Sequence, residues 1–370
     1  MSKVQLPNIN ERFRTGISIF LYTAVTIFFA AFADPRTMLG CGWITFIPSN
    51  IGRYVSFSSA LILISMYGWM AYYIAKELNN VFLRSQKKID LIILTTSLYL
   101  IQVVPTIIFI LPTYNIAYFM LKEHPITLSY IYVGSSVFLP IIFYFVYRHM
   151  IKKSNNNTKF NVIVFPLLVI AIGLSFASLY YLAIIRYWTT IFILICAVFI
   201  NDMFGYLGGS LFGKHKLAPH VSPKKTYAGF ISAIIGATLF IVLTMIVFNH
   251  INGVPYKDYD TPQSAFLGQQ LPESLWNFTN SPGWWAILVV IAIMYSLVSN
   301  AGDLLFSWIK RKNNIKDFSS ILKGHGGLLD RLDSLTISIA IFGFITVIIA
   351  FICSYLTHNS NCIFPLFTSQ

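Results

Sequence analysis

Long apolar blocks separated by short basic loops constrain this chain more than any other feature of its sequence. Nine such blocks can be marked, at about 16–33, 55–75, 90–111, 128–148, 161–179, 187–206, 228–248, 284–306 and 334–356. Several approach the ~20 residues that a helix needs to cross the hydrocarbon layer. No water reaches the backbone inside that layer, so blocks of this length must satisfy their own peptide groups as helices. Only 11% of the 370 residues are charged, against ~25% in an ordinary soluble domain, too few to cover a water-facing surface. The fold class expected is an all-alpha polytopic integral membrane protein with about nine transmembrane helices.

The basic residues test that count independently. With the N-terminus in the cytoplasm and the blocks threaded alternately, one face carries Lys3, Arg12, Arg14, Lys76, Arg84, Lys87, Lys88, Arg148, Lys152, Lys153 and Lys159. It also carries Lys214, Lys216, Lys224, Lys225, Lys310, Arg311, Lys312, Lys316, Lys323 and Arg331, which makes 21 of the 26 Lys and Arg. The other face has only Arg36, Arg53, Lys122, Arg186 and Lys257. A wrong count would scramble this bias downstream of the error. The topology expected is therefore N-terminus cytoplasmic and C-terminus external, in the cell inner (plasma) membrane.

The first block follows Arg12 and Arg14 without an evident small-residue cleavage site, and reads as a retained span. A formal charge of +13 would by itself suggest nucleic acid, but its placement in inter-span loops predicts no nucleic-acid partner. The fifth and sixth blocks are divided only around Arg186, and their combined length favours two crossings joined by a tight turn. Residues 1–186 are read as an N-terminal transmembrane region, 187–356 as a catalytic transmembrane region and 357–370 as an external tail. Pro105, Pro140 and Pro166 are expected to kink their helices. Cys41, Cys196, Cys353 and Cys362 show no metal-ligand spacing.

Polar chemistry concentrates in two segments on the basic face, 201–229 and 302–333. Five of the 13 acidic residues lie there: Asp202, Asp303, Asp317, Asp330 and Asp333. A carboxylate at the end of an apolar helix is costly unless it is paired, hydrated or bound to a cation. Asp330 and Asp333 are three residues apart, hence on one helix face. Helix ends presenting such groups to a shared rim would hold divalent cations through oxygen, or form ion pairs with Arg311 and Arg331. Ser222, Lys224 and Lys225 follow a glycine-rich stretch, and Lys310, Arg311 and Lys316 accompany the second acidic group. Alternating cations and carboxylates suit a magnesium-bound polyphosphate, with glycines admitting the phosphates to the backbone.

The run from Ser307 to Asp333 resembles the signature of the phosphatidate cytidylyltransferases, the CDP-diacylglycerol synthases, of bacterial type. Its constrained positions here are Ser307, Lys310, Arg311, Lys316, Asp317, His325, Gly326, Gly327, Asp330, Arg331 and Asp333. Asn201-Asp202, Gly205-Tyr206, Gly208, Phe212-Gly213-Lys214 and Ser222-Pro223-Lys224-Lys225-Thr226 are similar to the family as well. Lys323 stands where the family usually has proline, and Tyr227-Ala228 replaces its usual Trp-Glu.

The resemblance implies that CTP and phosphatidic acid give CDP-diacylglycerol and pyrophosphate, by attack of the lipid phosphate on the CTP α-phosphorus. It implies Mg2+ and room for a second cation, with Asp303 and Asp330 as metal ligands. Asp202, Asp317 and Asp333 are then supporting carboxylates. Ser222, Lys224 and Lys225 are expected on the triphosphate, and Lys310, Arg311 and Lys316 on either substrate phosphate. Gly326, Gly327 and Arg331 complete the substrate-binding set, and His325 shapes the loop. The partners expected are CTP, phosphatidic acid and the lipid bilayer, with a homodimer left open. A related lipid nucleotidyl- or phosphotransferase using an isoprenoid lipid, or an ion or solute transporter, is the alternative.

Overall fold

The computed structural model of the protein describes residues 49–113, 125–184, 188–252, 282–321 and 326–357, with Tyr22, Val25, Thr26 and Phe29 besides. Eight long helices carry this part. They are α1 (Ser49–Leu78), α2 (Lys88–Thr113), α3 (Pro125–Lys153), α4 (Lys159–Ile184), α5 (Trp188–Phe212), α6 (Tyr227–Asn252), α7 (Pro282–Lys312) and α8 (Leu329–Thr357). Each coincides with one apolar block, from the second to the ninth, and most run a turn or so into the flanking polar residues. The first block falls largely outside the described residues, as do residues 358–370 of the tail. The fifth and sixth blocks are two separate helices, α4 and α5. Helix continues through Pro105, Pro140 and Pro166.

Among the described residues, four segments are long and apolar enough to cross a membrane: Lys159–Leu179, Phe192–Phe212, Tyr227–Val247 and Trp285–Lys312. Ile231, Ile235, Leu239, Leu243 and Val247 repeat every fourth residue down α6, and each is more than half exposed. An apolar stripe of that length facing outward suits hydrocarbon and not water. The protein is embedded in the membrane.

Packing divides the helices into two groups that meet along one seam. Helices α1 to α4 enclose Leu63, Ile74, Phe82, Tyr147 and Phe165, all buried, and the Tyr147 hydroxyl donates to Ser97 Oγ at 2.8 Å. Helices α5 to α8 form the second group, with α5 and α6 making the most extensive contact of the fold. Helix α8 packs on both α7 and α4, and so joins the groups. A second tie is polar. Asn156 and Asn161, around the turn before α4, both donate from Nδ2 to Asn313 Oδ1 just past α7, at 3.3 and 3.0 Å.

Small residues set the α5–α6 distance. A Cβ on Gly208 would collide with the Ser232 side chain, and one on Gly229 would lie 2.6 Å from the Gly205 carbonyl oxygen. Ser232 Oγ uses the close approach to donate to the Phe204 carbonyl at 2.8 Å. Small residues that let backbones approach are the usual means of helix association in lipid, where burying apolar surface gains nothing.

The segment between α5 and α6, expected only as a cytoplasmic loop, is an antiparallel hairpin of β1 (Lys216–Ala218) and β2 (Ser222–Thr226). Lys216 pairs with Thr226 and Ala218 with Ser222. The reversal is a β-turn with Pro219 at its second position, where a fixed φ is favourable, and Val221 N donates to the Ala218 carbonyl at 3.1 Å. The hairpin lies against the ends of α6 and α7. Replacing Gly208 with valine should separate α5 from α6 and lower stability by about 1–3 kcal/mol, the usual cost of overpacking. Thermal unfolding of the purified variant in detergent would measure it.

Candidate active site

The hairpin and the neighbouring ends of α5, α6, α7 and α8 enclose a cavity of about 450 Å³. Asp202, Lys224, Lys225, Asp303, Asp330 and Asp333 line it, and Gly205, Gly209 and Gly229 form the part where α5 and α6 come together. Three of the four aspartates arrive on different helices, so the site exists only when α5, α7 and α8 converge.

Strand β2 brings the lysines in. Lys225 Nζ lies 2.7 Å from Asp303 Oδ2, a half-buried ion pair between hairpin and α7. The strand ends in Thr226, whose Oγ1 accepts from Gly229 N at 3.1 Å and so caps the first turn of α6. On the far side of the hairpin, Arg311 Nε donates to the Val221 carbonyl at 3.3 Å and one of its terminal nitrogens to the Ile315 carbonyl at 3.2 Å. Asp202 is placed by its neighbour. Asn201, 1% exposed, accepts at Oδ1 from Ser296 Oγ at 2.5 Å and from Asn300 Nδ2 at 3.1 Å, which clasps α5 to α7.

Asp330 is held more tightly than any other acid of the cavity. Its Oδ1 pairs with Lys310 Nζ at 2.8 Å, both side chains being nearly buried. Its Oδ2 accepts two backbone N–H groups, from Phe318 and Gly327, each at 2.8 Å. The segment between α7 and α8 therefore holds the carboxylate from two places, Phe318 and Gly327. Gly326 takes a φ of +83°, and a Cβ there would stand 3.0 Å from Asp330 Oδ2, so glycine serves both the left-handed turn and the close approach. One turn on, burial and then the charge of Asp303 push the Asp333 carboxyl above its usual range.

A model of the cytidylyltransferase family matches residues 43–349. The chain belongs to that family. A Mycoplasma pneumoniae chain named as a candidate phosphatidate cytidylyltransferase is 30% identical over 317 residues, 82% of this chain and 78% of that one. The phosphatidate cytidylyltransferase of Rickettsia felis is 31% identical over 183 residues, 49% of this chain and 69% of that one. That of Brucella abortus is 36% identical over 154 residues, 42% of this chain and 45% of that one.

Within this cytidylyltransferase fold, the residues singled out in the sequence take three kinds of place. Asp202, Lys224, Lys225, Asp303, Asp330 and Asp333 face one cavity, and Lys310 stands behind it on Asp330. Ser222, Arg311, Lys316, Asp317, Gly326, Gly327 and Arg331 lie outside the lining: Arg311 on the hairpin, the two glycines under the loop, Lys316, Asp317 and Arg331 exposed. His325 lies outside the described residues. The sequence reading passed over Asn300, Ser296, Ser319 and Glu77. Glu77 had a signal, being one of 13 acids and sitting at the end of an apolar block.

Replacing Lys310 with methionine would leave Asp330 buried without its cation. The expected loss is about 3–5 kcal/mol of stability, read as a lower unfolding temperature in detergent.

Proposed function

We propose that this chain is a phosphatidate cytidylyltransferase that converts CTP and phosphatidic acid to CDP-diacylglycerol and pyrophosphate. The observation that carries the reading is the set of lysines and aspartates from β2, α5, α7 and α8 around one cavity at a membrane helix end. The named function of the relatives supports it.

In this reaction an oxygen of the lipid phosphate bonds to the α-phosphorus of CTP, and the bond from that phosphorus to the bridging oxygen of the β-phosphate breaks. The electron pair leaves with pyrophosphate. The nucleophile is already an anion and needs little activation. The obstacle is bringing two anions together in line, so positioning and charge compensation supply the catalysis. Lys224 and Lys225, on the exposed strand of the hairpin, meet the triphosphate. Lys225 exchanges its contact with Asp303 for one with phosphate. Lys310 keeps Asp330 in place, and Arg311 keeps the hairpin against α7. Gly205, Gly209 and Gly229 leave room for the nucleotide.

The donor set fits Mg2+ in kind, since the cavity offers carboxylate oxygens and neither thiolate nor imidazole among its described residues. No three acidic, histidine or cysteine side chains among the described residues are close enough to hold an ion by themselves. In the proposed reaction Mg2+ would be taken up with its phosphates, since this ion keeps water and substrate oxygens around one or two carboxylates. Asp303 and Asp330 are the proposed ligands, with Asp202 and Asp333 in support and Asp317 beside Gly326. When bound, the ion neutralises charge at the phosphates during transfer.

The lipid's tails remain in hydrocarbon while its headgroup reaches the rim. Tyr206, Leu211 and Phe212, all strongly exposed at that end of α5, form an apolar border on which the glycerol and upper chains would rest. In this reading residues 187–356 are the catalytic region. The chain crosses the inner membrane nine times, with its N-terminus and active site cytoplasmic, as the placement of basic residues supports.

Purified protein with CTP, Mg2+ and phosphatidic acid should release pyrophosphate and CDP-lipid together, each component being required. Pyrophosphate release without the lipid would make the protein a nucleotide hydrolase and overturn the reading. Asp303→Asn should lower turnover at least about a hundredfold while the protein stays folded. Lys225→Ala should raise the KM for CTP about tenfold or more, for loss of a charged phosphate contact. Unchanged CTP kinetics would remove Lys225 from the triphosphate.

A further inference from the structure

Glu77 ends the first described helix, far in sequence from both segments that carry the family's motifs, yet its carboxylate is buried beside the catalytic loop. Its residue exposure is 0%. Oε1 accepts from Ser319 Oγ at 2.6 Å and from Leu328 N at 2.7 Å, and Oε2 accepts from Leu329 N at 2.9 Å. All three donors are neutral. Two of them are N–H groups at the start of α8, where a helix leaves its first donors without partners and favours negative charge. A carboxylate buried this fully costs several kcal/mol unless such partners hold it.

The donors to Glu77 alternate with those to Asp330. Phe318 gives its N–H to Asp330, and Ser319 gives its hydroxyl to Glu77. Gly327 gives its N–H to Asp330, and Leu328 and Leu329 give theirs to Glu77. Two carboxylates thus divide between them the donors of residues 318–319 and 327–329. Glycine at 327 leaves room for this contact, since a Cβ there would lie 2.8 Å from Glu77 Oε1 and 2.9 Å from Ser319 Oγ and would push on both. The end of α1 is itself fixed. A π-helical turn, Asn79–Leu83, closes on Arg84 at φ 51°, with Arg84 N donating to the Asn79 carbonyl at 2.6 Å. Asn79 Nδ2 then donates to the Ser85 carbonyl at 3.0 Å.

We propose that Glu77 is a positioning residue, which sets the places of residues 318–319 and 326–329 against α8 and through them those of Asp330, Lys310 and Asp333. The catalytic part of this inference rests on the function proposed above. Lys224 and Lys225 sit on the hairpin, away from Glu77, so the contact with CTP should be spared and the transfer step affected.

Glu77→Gln keeps the shape but turns an –NH2 toward one of the donors, and Ser319→Ala removes one donor while leaving the carboxylate. Hydrogen exchange of the metal-free protein in detergent should speed up about tenfold at 318–319 and 326–330 in Glu77→Gln, with α4 and α6 unchanged. Turnover should fall about tenfold or more, with the KM for CTP within twofold. Ser319→Ala should shift both readouts the same way by about threefold, and decides alone if Glu77→Gln does not fold. Wild-type exchange over the loop, or faster exchange with undiminished turnover, would overturn the proposal. A wild-type chain that makes no CDP-lipid would instead sink the functional reading, while the exchange result still decides whether Glu77 holds the loop.

Discussion

The ion pair of Lys310 with Asp330 lies almost out of water, and a pair in that position needs further hydrogen bonds to be stable. Asp330 meets the condition by taking two backbone N–H groups on its second oxygen. That requirement shapes the surroundings. Phe318 and Gly327 have to bring their N–H groups to one carboxylate, and glycine at 326, with its positive φ, is what lets the chain turn there. Helix α7 has to present Lys310 toward α8, which places Asp303 two turns earlier on the side of the cavity. Much of the site's geometry can be traced to this one buried charge.

The hairpin solves a different problem. In the proposed reaction, lysines that meet the phosphates must be near the aspartates but able to change partner. A two-stranded element outside the helix bundle offers that: Thr226 ties it to the first turn of α6 and Val221, at its turn, to Arg311, while its lysines reach the cavity from β2. Lys225 is half-buried on Asp303, and Lys224 beside it is exposed. The two basic groups of the sequence therefore differ in kind. Lys310 and Arg311 hold structure together, while Lys224 and Lys225 face the space that a triphosphate would fill.

Close packing of α5 on α6 gives both features a frame. Glycine at 208 and 229 lets the two helices come together, and the hairpin that joins them lies over the cavity. The apolar faces that remain, such as the Ile231 to Val247 stripe, are left to lipid. Binding chemistry at the rim and hydrocarbon contact below it come from the same helices, which suits a reaction between a water-soluble nucleotide and a membrane lipid.

The eight described helices were legible in the sequence, because a membrane leaves a 20-residue apolar block little else to become. The family was legible too, from the spacing of Ser307 to Asp333. That Asp202, Asp303, Asp330 and Asp333 share a cavity followed from their rarity in an apolar chain, where an acid must have a reason to be present. Which of them is free and which is already held did not follow. The hairpin was missed because five residues with two lysines and a proline carry no strand pattern, and only the pairing across Pro219 creates one. Glu77 was missed because its partners lie some 240 residues away, and hydrogen bonds over that separation leave no local trace. Local composition settles what each segment becomes, and the burial of charge, which depends on every neighbour at once, settles what each polar side chain does.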